Sequence, residues 1–166
     1  MTNTLLRAML ALLLTTLVAC SGTMHITPPE YRQVKNSYSY EASYDQAWLL
    51  AVDWFAENNI TIDKIEKTSG FISAKYNIRL HPNALDCGEI KTSTLATLQH
   101  YEETANVNVT VRSVGDNRTK VSVNIAGSYE GMGHDNGWGK KLPFSGACVS
   151  TGVFEQSVAN FISTRL

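Results

Sequence analysis

Between Ala105 and Arg112 the chain alternates one for one, with Ala105, Val107, Val109 and Val111 set against Asn106, Asn108, Thr110 and Arg112. Successive strand side chains point to opposite faces, so this spacing predicts a strand with one buried face and one wet face. Val121, Val123 and Ile125 repeat the pattern after the turn sequence Gly115-Asp116-Asn117, and the two segments read as an antiparallel hairpin. The alternation weakens towards Tyr129. A shorter alternation of aromatic and polar residues at Ser37 to Glu41 predicts another strand.

A helical period takes over at Tyr44, Trp48, Val52 and Phe55, joined by Ala47 and Ala51 on one stripe. Ser43 and Gln46 have capping-box spacing, Asp45 suits the positive end of the dipole, and the helix is expected to end around Asn58-Asn59. Trp48 falls in the stripe and is expected in the core, with Trp54 at its edge. Ile60, Ile62 and Ile65, a turn at Thr68-Ser69-Gly70 and a strand from Phe71 to Leu80 predict a second hairpin. Near the C-terminus, Val153, Phe154, Val158, Phe161 and Ile162 share a helical face, with Ser150 or Thr151 placed to cap it.

Three stretches lack a period. Residues 21–36 are polar, contain Pro28 and Pro29, and read as a tether. Residues 81–100, with Pro82 and Gly88, fit an irregular loop or an added short strand. Residues 130–147 hold five glycines and read as a long loop. The expected class is α+β: an antiparallel sheet with two amphipathic helices on one face, in the order β-α-β-β-β-β-α.

The N-terminus is organised differently. Met1 to Arg7 is short and basic, and Ala8 to Ala19 is apolar except for Thr15 and Thr16. That run is shorter than the roughly 20 residues a membrane-spanning helix needs, and it has the length of an export signal. Leu17-Val18-Ala19-Cys20 resembles the lipobox of bacterial lipoproteins. The resemblance implies cleavage before Cys20, lipidation of its thiol and new amino group, and, with Ser21 following, sorting to the outer membrane; the expected location is that membrane, facing the periplasm, with surface display left open by the sequence. The expected division is an export signal over 1–19, a lipidated tether over 20–36 and one domain over 37–166. An ordinary signal peptide cut nearby would instead leave Cys20 a free thiol.

The stretch from Ser43-Tyr44-Asp45-Gln46-Ala47-Trp48 through Thr68-Ser69-Gly70-Phe71-Ile72, together with the element order, resembles the helix-grip domains of BamC, a lipoprotein of the outer-membrane barrel-assembly machinery. That resemblance implies a helix-grip-like fold and a non-enzymatic accessory role beside another envelope protein.

With Cys20 assigned to lipid, Cys87 and Cys148 remain as an even pair in an oxidising compartment, where a disulfide is the leading expectation. A metal site built on both cysteines and one of His81, His100 or His134 is the alternative, but no two of these ligands have zinc-knuckle spacing. A nucleophilic cysteine has no local signature in its favour. No serine elbow, zinc-protease helix, phosphate-binding glycine loop or dinucleotide fingerprint occurs in the sequence. No enzyme activity, cofactor or metal is therefore expected. The formal charge of −1 gives no reason to expect nucleic acid as a partner.

His134 and Asp135 fit either an acid/base pair or a solvated loop. Trp138, Lys140, Lys141 and Phe144 are the partner-binding candidates, because aromatic and basic residues on a loop can anchor a partner. Alternatively, Trp138 and Phe144 fold back over one end of the sheet. The expected function is that of an outer-membrane-anchored accessory or scaffold subunit binding another envelope protein. A ligand-binding module, with a lipid, peptide or glycan fragment in a cleft between helix and sheet, is the second reading.

Overall fold

A computed structural model describes residues 21–76 and 83–166. The expected export signal, Cys20 and His81 lie outside the described residues. In chain order the elements are β1 (Met24–Thr27), β2 (Ser37–Tyr40), α1 (Tyr44–Glu57), β3 (Ile62–Glu66), β4 (Phe71–Tyr76), β5 (Leu85–Asp86), β6 (Glu89–Thr92), β7 (Ala96–Gly115), β8 (Arg118–Asp135), β9 (Lys140–Ser150) and α2 (Val153–Ser163). The class is α+β, as expected: an antiparallel sheet and two helices. The sheet runs β3-β4-β7-β8-β9-β5, and β2 pairs with the first part of β8, on Thr119 to Ser122. A separate two-stranded ribbon joins β1 to β6.

The spine is the β7–β8 hairpin, with strands of 20 and 18 residues paired from Gly115 and Arg118 at one end to Ala96 and Asp135 at the other. Along its first half, Ala105, Val107, Val109 and Val111 of β7 and Val121, Val123 and Ile125 of β8 are buried beneath both helices. The capping box of α1 forms as the sequence predicts. Ser43 Oγ accepts from the Gln46 N–H at 3.4 Å and Gln46 Oε1 accepts from the Ser43 N–H at 3.2 Å. Asn58 closes the helix, and Asn59 turns left-handed at φ 53°.

Trp54 is not at the edge of the stripe. Only 1% exposed, it packs edge-on against Phe55 and against Phe154 of α2, with ring centroids 4.9 Å apart in the second pair. The second helix closes the side that a lone helix would leave open. Capping of α2 departs in part from expectation: Thr151 Oγ1 accepts from the Val153 N–H at 3.4 Å, but from one position before the N-cap. Gly152 takes the N-cap position with φ 90°, a conformation that costs glycine little. Ser150 Oγ instead donates to the buried Glu155 Oε1 at 2.6 Å and accepts from the Gly152 N–H at 3.0 Å.

The largest correction concerns residues 130–147, which are the end of β8, a four-residue turn at 136–139 and most of β9 rather than a long loop. The glycines there mostly provide room for large neighbours on the core-facing side of the sheet. A Cβ at Gly131 would overlap the Phe144 ring, one at Gly146 the Tyr129 ring, and one at Gly133 the Met24 sulfur. Gly127 stands in the same relation to Leu85. The glycines remove the apolar alternation that marks a strand, while the aromatic rings laid across them restore the packing.

The expected tether is also partly built into the domain. Met24 and Ile26 point inward from β1, Ile26 pairs with Ile90 of β6, and the ribbon covers the glycine-bearing half of the face that the helices cover elsewhere. Four alternating residues, Met-His-Ile-Thr, are too few to stand out as a strand among polar neighbours. Residues 81–100 hold β5, β6 and the start of β7 in their described part.

Candidate functional site

The end of the sheet where β8 turns into β9 gathers most of the predicted binding residues. Asp135 sits at the last β8 position, almost fully buried, and organises the turn. Its Oδ1 accepts from the Gly137 N–H at 2.9 Å and the Trp138 N–H at 3.3 Å, an Asx-type closure favoured by the sequence Asp-Asn-Gly. Its carbonyl oxygen accepts from the Gly139 N–H at 2.8 Å, and the Asn136 N–H donates to the Leu95 carbonyl at 2.8 Å. Gly139 has φ 67° and open space for 4 Å around the position a Cβ would take, so glycine serves the backbone conformation there.

A further donor comes from far away in the sequence. The Gly22 N–H reaches Asp135 Oδ1 at 2.9 Å, bringing the start of the described chain to the hairpin tip. The Gly22 bond is the largest influence on the Asp135 carboxyl, and with the Gly137 and Trp138 bonds it holds the pKa below the ordinary aspartate value despite desolvation. Sequence reasoning treats Asp135 as an acid/base candidate with His134. Its place in the structure is that of a staple. The Asp-Asn-Gly turn signal is present in the sequence, but the contribution of Gly22 is 113 positions distant and carries no local signature.

On this braced turn Trp138 is 66% exposed, whereas Trp48 and Trp54 are 5% and 1% exposed. Lys140 pairs across from Asp135 and Lys141 from His134, so the two exposed lysines leave β9 on opposite faces. Leu98, 47% exposed, pairs with Gly133 at the same end. Phe144 does not join them. It stacks with Tyr101 and lies near Tyr129 on the core-facing side, with ring centroids 6.3 Å apart in each pair. Of the two predicted rings, Phe144 folds back and Trp138 does not. Tyr101 Oη donates to Glu103 Oε1 at 2.6 Å, and burial followed by that bond drives the phenol pKa upward.

Cys87 and Cys148 form the expected disulfide, tying the β5–β6 connection to β9. The metal alternative loses both sulfurs to that bond, and no group of three potential ligands occurs among the described residues. On the outer sheet face, His100 lies 3.7 Å from Glu102, which pairs across from Glu130 beside two shallow depressions of about 440 and 450 Å³. No helix among the described residues is long and apolar enough to cross a membrane. Neither a protein-family model nor a curated protein matches this chain at a significant level.

Proposed function

We propose that this protein is an outer-membrane lipoprotein anchored through Cys20, whose single helix-grip-like domain serves as a non-enzymatic accessory or scaffold subunit for another envelope protein. The observation that carries the choice of a scaffold over a cleft-type ligand binder is the filled space between helices and sheet. Among the described residues, Trp54, Phe55, Phe154, Ile162, Val107, Val109, Val111, Val121 and Val123 fill the place a ligand would need, each being about 1% exposed or less. Recognition then falls to the outside of the molecule. Among the described residues, the outer face of β7 and β8 offers such a surface, where Thr104, Asn106, Asn108, Asn124 and Ser128 are exposed along most of the hairpin.

The test is a photo-crosslinking side chain at Asn108 in intact cells. The expected result is a discrete adduct with one envelope protein, lost when Cys20→Ser removes the anchor. Recovery of only lipid or glycan adducts from that face would contradict the scaffold reading.

A further inference from the structure

We infer that the β8–β9 tip is a membrane-contact element: Trp138 lies in the headgroup layer of the leaflet that carries the Cys20 lipid, with Lys140 and Lys141 on its phosphates. The inference rests on the anchor proposed above. It is carried by where the chain enters the domain. Gly22 N–H and Trp138 N–H share one acceptor oxygen, at 2.9 and 3.3 Å, so their nitrogens can be no farther apart than the sum of those distances. Covalent geometry keeps position 20 within about 8 Å of the Gly22 Cα whatever the path between them. An acylated Cys20 therefore delivers the tip to the bilayer surface, where even a weak contact is made at high effective concentration.

The chemistry at the tip suits that surface. Indole rings prefer the membrane–water interface, and lysines beside them bind anionic headgroups. Leu98 adds exposed apolar surface at the same end. Asp135 is the sole acid in residues 131–144, 92–101 and 21–28, and it is buried against backbone N–H groups. No exposed carboxylate from the segments converging there opposes a phosphate surface. The turn is already ordered, so docking costs little conformational entropy.

The test uses the full mature protein in phosphatidylethanolamine–phosphatidylglycerol vesicles containing lipids brominated on their acyl chains, with the mass of the Cys20 peptide measured on the same preparation. Trp138→Phe supplies the signal of buried Trp48 and Trp54 for subtraction. Because Trp138 is exposed and contributes a backbone donor that phenylalanine keeps, this variant retains the fold. The expected result is loss of about half the Trp138 emission to brominated lipid, with most of it restored by Lys140→Glu and Lys141→Glu together. An acylated protein whose Trp138 emission is quenched by aqueous iodide and untouched by brominated lipid would overturn this inference alone. A Cys20 peptide without acyl chains would overturn the anchor, and the inference with it.

Discussion

The β7–β8 hairpin solves one packing problem in two ways along its length. In the half near Val109 and Val123, β-branched side chains meet two helices, and the apolar alternation is complete. In the half near Gly131, the strands contribute glycines, and Phe144, Tyr129, Met24 and Leu85 from neighbouring strands lie across them. The first half is held by shape-matched burial. The second combines aromatic cover, a disulfide and a two-stranded ribbon of which one strand, β1, comes from the chain entering the domain. Regular secondary structure can therefore be built where the sequence looks like a loop, provided the filling side chains come from elsewhere.

The largest effect is expected at Phe154, in the helix-covered half. Truncation to alanine removes a fully buried ring that touches Trp54, and about 3–5 kcal/mol of global stability is expected to go with it in denaturant titration. Removing the staple of the other half comes next. Replacing both Cys87 and Cys148 with serine releases a crosslink spanning a sequence separation of 61, for which the chain-entropy model gives about 4 kcal/mol as an upper value. Hydrogen exchange is expected to place that loss in β5, β6 and β9 before it reaches α1.

Gly131→Ala is a smaller perturbation. Its methyl group would meet the Phe144 ring and the His100 carbonyl, and a cost of about 1–3 kcal/mol is expected from thermal unfolding. If Gly131 were a loop glycine, the same substitution would be nearly neutral.

Acid acts on the tip through Asp135. The folded Asp135 has a lowered pKa, so its ionised form stabilises the native state above its unfolded value, near 3.8, and that contribution fades as pH falls through the lower folded value. Protection of the Gly22, Gly137 and Trp138 amides is expected to hold from neutral pH to about pH 4 and to weaken together below it. The helix-covered half is expected to remain protected over that first step.

Legibility follows the same division. Wherever a segment carries its own apolar face, as α1, α2, the β3–β4 hairpin and the valine-rich parts of β7 and β8 do, the sequence period locates it. Gly131, Gly133 and Gly146 hide their strands because the side chains that complete them are Phe144, Met24 and Tyr129. β1 stays hidden because its partner β6 lies more than 60 positions away and neither strand has more than four residues. Of the site, Trp138, Lys140 and Lys141 are visible as a composition and Cys87 with Cys148 as an even pair. The Gly22–Asp135 bond that places the tip at the chain entrance is not, since a backbone donor leaves no mark on side-chain pattern.

The joining of the chain entrance to the hairpin tip is tested most directly by amide hydrogen exchange at Gly22, followed by NMR in the wild type and in Asp135→Ala. The expected result is slow exchange at Gly22 in the wild type, with protection lost in the variant together with that of Gly137 and Trp138 while Val109 and Val123 stay protected. Exchange of Gly22 at the rate of a free peptide in the wild type, with β8 and β9 still protected, would contradict it.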